Sequence, residues 1–276
     1  MQFTKVHGLG NDFILVDARN GEQPDFNAIA PRLCHRQTGI GADGILAVLP
    51  SDCADIRMRI INADGSEAEM CGNGIRAFSK YVFEKGIVPR QQFAVETLAG
   101  IMRPSLKVED GVVTGVTVDM GEPFLACEQI PVEGTGRCID REMMVQGRNI
   151  RYTSVLVGVP HTVVFVDDPK QEEWMKLGSA IEHAPVFPRR TNVNFAHVQD
   201  ESNVEVRTWE RGCGPTLACG TGCCSTAVAC VLNGKTGRSV DVHIALGTLH
   251  IEWAEDNHVY MTGPAELVYS GEIQLS

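Results

Sequence analysis

The 276-residue sequence has few aromatic side chains, no excess of basic charge and no long apolar run. A formal net charge of -11 argues against a nucleic-acid-binding surface, which would be basic. The longest apolar stretch, residues 152–166, is interrupted by Gly158, Pro160 and His161, short of the ~18 residues that span a membrane. The first residues do not combine a basic segment with an apolar run, so we expect no signal peptide. We therefore expect a cytoplasmic globular protein of about two domains.

Cysteine, by contrast, occurs ten times. Because we expect no secretion signal, the cysteines should be reduced thiols rather than disulfides. Most should be small buried side chains. Two of them, Cys71 and Cys219, differ from the rest because each opens the motif Cys-Gly-x-Gly.

Short β-type runs alternate with glycine-containing turns along most of the chain, and helical patterns are fewer. The predicted helices are Phe26–Arg36, Ile75–Glu84, Gln171–His183 and Cys223–Leu232. The predicted strands include Phe13–Asp17, Gln92–Thr97, Ile101–Val108 and Glu266–Tyr269. This order predicts an α+β fold, not an alternating βαβ fold.

The sequence also resembles itself at an offset of 148 residues. At this offset the two Cys-Gly-x-Gly motifs coincide, and each precedes a helix that stops near a glycine. The other matched positions are Gly10 with Gly158, Asn11 with Val159, Gly44 with Asn192, and Asn62 with Glu210. We therefore expect two related domains: residues 1–119 with 262–276, carrying Cys71, and residues 120–261, carrying Cys219.

Each Cys-Gly-x-Gly motif places a thiol where a loop becomes a helix. The first turn of a helix presents unpaired backbone N–H groups and partial positive charge, which can bind a carboxylate. The same environment favours the thiolate form of a cysteine. The glycines allow a ligand to approach the backbone closely.

If the two domains pack face to face, both helix ends point into one cleft. The two sulfur atoms would then flank the carbon next to a bound carboxylate. One thiolate could remove the α proton while the other thiol delivers a proton to the opposite face, which inverts the configuration. The helix N–H groups would stabilise the charge that develops on the carboxylate. This chemistry needs no pyridoxal phosphate, and we expect no cofactor.

Two other interpretations use the same cysteines. The cluster of Cys213, Cys219, Cys223 and Cys224 includes a spacing that zinc sites use. However, Cys223 and Cys230 share one helical face with Ala227, which is typical of a protein core, and no second pair of ligands completes a tetrahedral set. We therefore predict no metal site. A thiol-redox pair of Cys219 and Cys223 is the remaining non-catalytic alternative.

The chain closely resembles diaminopimelate epimerase over essentially its whole length. The motifs that carry this resemblance are Gly8–Phe13, Asn62–Ser66, Met70–Gly74, Glu210–Gly212 and Ala218–Gly222. The resemblance implies two pseudo-symmetric domains, each a β-barrel-like sheet around a central helix. It also implies a cytoplasmic homodimer, with Tyr269 as a candidate contact, that interconverts LL- and meso-diaminopimelate on the route to lysine and peptidoglycan.

The resemblance further implies a role for individual residues. Cys71 and Cys219 would be the acid–base pair, supported by His161 and Glu210. The carboxylate would bind at Gly72, Asn73, Gly220 and Thr221. The substrate's amino and carboxylate groups would be held by Asn11, Asn62, Asn192, Glu210 and Arg211. Residue chemistry agrees, because Arg211 can bind a distal carboxylate with two hydrogen bonds and Glu210 can pair with an ammonium group.

The sequence departs from the family pattern at two positions. Val159 stands where the family often has Asn, and Gly44 where many members have Gln. Val159 cannot make the hydrogen bonds of an amide side chain. The alternatives are therefore a racemase of another amino acid, such as histidine, on the same scaffold, or an enzyme like proline racemase. We also expect loss of activity on oxidation if Cys71 and Cys219 come within bonding distance.

Overall fold

The computed structural model describes residues 1–21 and 23–275. The chain divides into two compact units, which we call the first unit (Met1–Val118 with Thr262–Ser276) and the second unit (Asp119–Met261). In chain order the elements are β1 Gln2–Gly8, β2 Asn11–Asp17, α1 Phe26–Cys34, β3 Gly44–Leu49, β4 Ile56–Asn62, β5 Glu67–Ala68, α2 Gly72–Glu84, β6 Val95–Thr97, β7 Gly100–Met102, β8 Ser105–Glu109, β9 Val112–Asp119, β10 Arg141–Val145, β11 Arg148–Val157, β12 Val159–Phe165, α3 Glu172–Glu182, β13 Asn192–Val198, β14 Asn203–Glu210, β15 Gly214–Thr216, α4 Gly220–Leu232, β16 Ser239–Ile244, β17 Gly247–Trp253, β18 Val259–Gly263 and β19 Glu266–Glu272.

The first unit contains a sheet in the strand order β19-β1-β2-β3-β4-β6-β7, with β5 paired to β4. The pairs β2–β3 and β4–β6 are parallel, and the other pairs are antiparallel. Strand β3 is buried at every residue, as expected for the centre of a sheet that is covered on both faces. Helix α2 packs against β1, β2, β3, β4 and β19, so the sheet surrounds it.

The second unit repeats this pattern. Its strand order is β10-β11-β12-β13-β14-β16-β17-β18, with β15 paired to β14. The parallel pairs are β12–β13 and β14–β16. Helix α4 packs against β11, β12, β13, β14, β16 and β17. This arrangement confirms the predicted α+β fold, in which each half has a sheet around a central helix.

The two central helices are buried on all sides. Ten of the 13 residues of α2 and ten of the 13 of α4 are buried. A helix that is covered all round belongs inside a core rather than on its surface. By contrast, α1 and α3 lie outside the sheets and contribute one face each, α1 against β3 and β4, and α3 against β13.

The predicted positions of the repeat lie at the same ends of matching elements. Strands β2 and β12 begin at Asn11 and Val159, and β3 and β13 begin at Gly44 and Asn192. Strands β4 and β14 end at Asn62 and Glu210, and the central helices begin at Gly72 and Gly220. The weak similarity in sequence therefore corresponds to a strong similarity in strand order and pairing.

Two strand predictions were wrong in detail. The predicted strand Ile101–Val108 is two strands, β7 and β8, separated at Arg103 and Pro104, because proline lacks the N–H that a continuous ladder needs. Of the predicted strand Gln92–Thr97, only Val95–Thr97 is a strand, and Gln92 forms an isolated bridge with Ser105. Among the described residues, no helix is both long and apolar enough to cross a membrane.

Candidate active site

Cys71 is the residue at which extended chain becomes helix α2. Its backbone is extended, with φ -143° and ψ 117°, and the N–H of Gly74 donates to its sulfur over 3.4 Å. The thiol therefore caps its own helix, in the position that serine or aspartate usually takes. Its side chain is half-buried. The structure thus places Cys71, Gly72 and Asn73 at the N-terminus of the central helix, as the motif predicts.

Asn11 connects this helix end to the start of β2. Its Oδ1 accepts from the Cys71 thiol at 3.5 Å and from the Asn73 Nδ2 at 3.2 Å. Its Nδ2 donates to Asp43 Oδ2 at 2.8 Å, and Arg36 holds the other Asp43 oxygen at 2.8 Å. Since an ionised carboxylate can only accept hydrogen bonds, Asp43 fixes which end of the Asn11 amide faces the thiol.

Arg76, one turn further along α2, is a fully buried cation beneath the Cys71 helix end. Its guanidinium donates to the Gly72 carbonyl at 3.0 Å, the Asn73 Oδ1 at 2.9 Å and the Pro264 carbonyl at 3.2 Å. These contacts hold the first turn of the helix and the Asn73 side chain in one arrangement. They also place a positive charge next to the predicted carboxylate-binding residues.

Asn62 and Gly44 lie opposite each other at the ends of β4 and β3. The Asn62 Nδ2 donates to Ser66 Oγ at 2.9 Å, within the turn that follows β4. A Cβ atom at Gly44 would lie 2.5 Å from the Ile61 carbonyl oxygen. Because carbonyl oxygen cannot yield at that distance, a larger residue at this position requires a shift of the backbone of β4. Glycine at position 44 therefore fits against β4 without any shift of the backbone.

Cys219 occupies the equivalent position at the N-terminus of α4, but its surroundings differ. It is only 8% exposed, and its sulfur lies 3.5 Å from the Thr221 hydroxyl. Burial raises the pKa of the Cys219 thiol, and the nearby negative charge of Glu210 raises it further. At Cys219, burial and the Glu210 charge thus oppose the thiolate form that a helix N-terminus favours.

His161 reaches Cys219 through Thr221. The ring is fully buried, with its Nε2 2.9 Å from Thr221 Oγ1 and its Nδ1 3.0 Å from Asn194 Nδ2. Asn194 Oδ1 accepts from the Thr208 hydroxyl at 3.0 Å, so the Asn194 amide nitrogen faces the ring. The His161 Nδ1 must then accept a hydrogen bond from Asn194. This places the ring proton on Nε2 and makes His161 a donor to Thr221.

The electrostatics keep this histidine neutral. Burial lowers the pKa of His161 to about 3, and the positive charge of Arg211 lowers it as well. Near pH 7 the ring is therefore uncharged. Its Nε2–H can orient the Thr221 hydroxyl toward the Cys219 sulfur without adding a full charge to the site.

Gly222 explains the last glycine of the second motif. A Cβ atom there would lie 2.7 Å from Asn194 Oδ1 and 3.2 Å from Thr208 Oγ1. At the matching Gly74, a Cβ atom would lie 3.3 Å from Leu46 and 3.6 Å from Phe13. Both glycines therefore allow the helix to pack closely on its own unit.

Asn192, Glu210 and Arg211 lie near one another at the ends of β13 and β14. Asn192 Oδ1 accepts from the backbone N–H of Arg211 at 2.9 Å, and its Nδ2 donates to the Pro160 carbonyl at 2.8 Å. Glu210 accepts from the Thr216 hydroxyl at 2.5 Å. The exposed Arg211 side chain donates to the Arg189 carbonyl at 3.0 Å.

The positions of the clustered cysteines do not match the zinc site considered as an alternative. Among residues 1–21 and 23–275, no three His, Cys, Asp or Glu side chains lie together in a way that could hold a metal ion. Cys213 is exposed, whereas Cys223 and Cys230 are buried within α4.

Comparison with known proteins agrees with this geometry. The family model described as diaminopimelate epimerase matches residues 3–125 and 153–268. A protein of Moorella thermoacetica named diaminopimelate epimerase is 53% identical, over 100% of each chain. One of Desulfitobacterium hafniense with the same name is 52% identical, over 98% of this chain and 97% of its own. The chain belongs to the diaminopimelate epimerase family. The resemblance found in the sequence is confirmed. The prediction that the chain is an isomerase is confirmed with it.

This family member also resembles solved structures whose sequences are much less similar to its own. A probable proline racemase from Agrobacterium radiobacter matches with a TM-score of 0.71 and 17% identity, over 100% of this chain and 93% of its own. A PhzF-family protein from Bacillus anthracis matches with a TM-score of 0.71 and 16% identity, over 100% and 99%. At such identities the similarity concerns the fold alone.

Several residues of this family member lie close to predicted site residues of their own unit but were not predicted from the sequence. They are Arg36, Asp43, Arg76, Glu182, Asn194 and Thr208. One signal was available for Asn194, because it lies two residues after Asn192 in a strand and therefore on the same face. The others are identified only by contacts that form on folding.

Proposed function

We propose that this protein interconverts LL- and meso-diaminopimelate by a two-base reaction of Cys71 and Cys219, without a cofactor. The observation that carries the proposal is the pair of thiols at the N-termini of matching central helices in a member of the diaminopimelate epimerase family. One thiolate removes the α proton, and the other thiol delivers a proton to the opposite face of the same carbon.

The helix N-termini supply the electrostatic part of this reaction. Loss of the α proton places negative charge on the substrate carboxylate. The backbone N–H groups at Gly72, Asn73, Gly220 and Thr221 are the proposed donors to that charge. Arg76 supports the first set from below, because it donates to the Gly72 carbonyl and the Asn73 side chain.

In the free protein Cys219 would start as a thiol. The raised pKa of Cys219, due to burial and then to Glu210, keeps it protonated in the free protein, so it is ready to act as the acid. When the reaction runs the other way, a thiolate must form at Cys219. The contact from His161 through Thr221 would then stabilise it. In this proposal His161 acts through Thr221 and not on the substrate.

The remaining proposed contacts select the substrate. Asn11, Asn62 and Asn192 offer amide groups, Glu210 offers a partner for an ammonium group, and Arg211 offers one for a distal carboxylate. A substrate with two amino-acid ends, such as diaminopimelate, would use both charged side chains. We further propose that the enzyme is a cytoplasmic homodimer, for which the half-exposed Tyr269 on β19 is a candidate contact.

A racemase of another amino acid is the second candidate. It is favoured by Val159, an apolar side chain that is 36% exposed at the start of β12. Gly158 before it lies close to Thr221, so this turn adjoins the α4 helix end. A valine here offers no hydrogen bond to a substrate, in contrast to an amide.

One exchange experiment tests both candidates. Freshly reduced enzyme is incubated in deuterated water with LL-diaminopimelate, histidine, proline or glutamate, and proton NMR follows the α position. We expect deuterium incorporation with inversion for diaminopimelate. The Cys71→Ala and Cys219→Ala variants should each lose about 10³-fold of the inversion rate, as expected when an essential acid or base is removed. Exchange with histidine but not diaminopimelate would instead establish the second candidate.

A further inference from the structure

Glu182 is a buried carboxylate at the end of α3, outside the residues that the proposed reaction uses. It is 2% exposed. A buried carboxylate is costly unless it accepts hydrogen bonds, and each Glu182 oxygen accepts one. Oε2 accepts from the Trp209 indole N–H at 2.8 Å, and Oε1 from the Gly212 backbone N–H at 3.1 Å.

These two donors lie on either side of Glu210 and Arg211. Trp209 is the residue before Glu210 at the end of β14, and Gly212 follows Arg211 in a turn with φ +77°. One side chain therefore holds the chain both before and after the pair. Any rotation of this segment would break at least one of the two hydrogen bonds.

The surface of α3 is shaped to receive Trp209. A Cβ atom at Gly178 would lie 2.6 Å from the Trp209 ring, so the ring rests directly on the helix backbone. Gly178 lies one turn before Glu182 and hence on the same face of the helix. The absence of a side chain at Gly178 lets the indole N–H reach the Glu182 carboxylate.

The segment that leads to Asn192 completes the support of Arg211. The Arg189 carbonyl accepts from the Arg211 guanidinium at 3.0 Å, and Asn192 Oδ1 accepts from its backbone N–H at 2.9 Å. Arg190 places its guanidinium 3.8 Å from Glu182, which partly balances the buried negative charge. Glu182 therefore interacts both with the segment that carries Arg211 and with the segment that leads to Asn192.

We propose that Glu182 is a positioning residue of the active site, which holds Glu210 and Arg211 in the direction needed to bind the two charged ends of the substrate. This inference rests on the roles given to Glu210 and Arg211 in the proposed function. Glu182 itself acts from behind the chain, through Trp209 and Gly212.

The variant Glu182→Gln tests the role with little change in size. Glutamine keeps one acceptor but places an N–H group against one of the two donors, so one hydrogen bond is lost. Because hydrogen bonds to a charged group are among the stronger ones, we expect KM for diaminopimelate to rise about ten-fold or more, with kcat changed less than about three-fold. The matched control is Glu172→Gln, which removes an exposed carboxylate from the same helix and should leave both parameters unchanged.

The variant Trp209→Phe separates positioning from general destabilisation. Phenylalanine has no indole N–H, so in the double variant the glutamine oxygen can accept from Gly212 while its amide faces a ring without a donor. The double variant should therefore bind substrate more tightly than Glu182→Gln alone. Additive losses would contradict the proposal. If Glu182→Gln does not fold, Trp209→Phe alone should raise KM about three-fold, and an unchanged KM would overturn the inference.

A measurement without substrate distinguishes this inference from the proposed function. The Trp209 indole N–H gives an NMR signal that Trp209→Phe identifies by its loss. In Glu182→Gln this proton should exchange with solvent faster, while the Trp253 indole signal stays unchanged. An inactive wild-type enzyme with a protected Trp209 proton would refute the proposed function only. An active enzyme whose KM is unaffected by Glu182→Gln would refute the positioning role.

Discussion

The surroundings of Cys71 and Cys219 differ more than the repeated strand order suggests. In the helix that Cys71 opens, Gly74 packs against the apolar side chains Phe13 and Leu46, and Arg76 is a buried cation in the same helix. At the matching positions the second unit has His161, Asn194 and Cys224. Apolar side chains in one unit therefore correspond to a hydrogen-bonded network in the other, and the buried cation Arg76 corresponds to a buried cysteine.

This difference shows that a helix N-terminus does not by itself determine the state of a thiol. At Cys219, burial and Glu210 raise the pKa despite the helix, and a neutral network of Thr221, His161 and Asn194 lies behind it. At Cys71 the thiol donates to the Asn11 amide oxygen, which Asp43 orients. The two thiols therefore have different hydrogen-bond partners, although each would serve as acid in one direction of the proposed reaction and as base in the other.

Arg76→Met should give the largest effect, on stability rather than on chemistry alone. It removes a guanidinium that donates to Asn73 Oδ1 and to the Gly72 and Pro264 carbonyls within the first unit. We expect the free energy of unfolding to fall by about 3 kcal/mol, as when charged hydrogen bonds are lost in a core. Urea unfolding followed by circular dichroism measures it.

The comparison variant is Cys224→Ala at the equivalent position of α4. It deletes one buried sulfur atom and should cost about 1 kcal/mol. All three tryptophans belong to the second unit, so tryptophan fluorescence follows that unit alone. Equal losses in the two variants would mean that the buried cation has no special role at the Cys71 helix end.

Thr221→Val should give the next largest effect, on the rate. Valine keeps the shape but removes the hydroxyl between His161 and Cys219. Loss of one strong hydrogen bond to a developing thiolate corresponds to about 2 kcal/mol, or roughly 30-fold in kcat/KM. Thr221→Ser keeps the hydroxyl and should retain most of the activity. If the Thr221→Val enzyme is fully active in the deuterium-exchange assay, the network gives Cys219 no catalytic support, and the two cysteines do not differ in this respect.

The sequence predicts the architecture well, because repeats and short-range patterns survive without knowledge of packing. The offset of 148 residues aligns the ends of strands and helices in the two halves. Strands β5, β10 and β15 were missed, and β5 has only two residues. β10 pairs with β11 across a tight turn at Gln146 and Gly147, both with positive φ, which only the folded backbone reveals. β15 has three residues, too few for a period to show.

The site was predictable where a motif carries it and not where packing does. Cys71, Cys219 and their glycines stand out because they recur in two motifs. Arg76 and Glu182 do not stand out, because each lies in a helix where an exposed charge is the ordinary expectation. Their burial follows from contacts with segments distant in sequence, Pro264 in one case and Trp209 in the other.

The smallest expected effect concerns pH and the neutral state of His161. In an unfolded chain histidine titrates near pH 6.5, whereas burial, followed by the charge of Arg211, lowers the pKa of folded His161 to about 3. Between these values the unfolded chain binds a proton that the folded chain does not. The stability from this residue is therefore complete above about pH 6.5 and decreases as the pH falls toward 3.

His161→Gln isolates this contribution. Below pH 6.5 the wild-type protein should lose up to about 1.4 kcal/mol of unfolding free energy per pH unit more than the variant does. Urea unfolding followed by tryptophan fluorescence at pH 6.5 and 5.5 measures the difference in the second unit. The matching position of the first unit is Phe13, which cannot titrate, so this histidine contribution has no counterpart there. Parallel pH slopes for wild type and His161→Gln would show that folded His161 takes up a proton as readily as it does in the unfolded chain, and the network would then need a different proton arrangement.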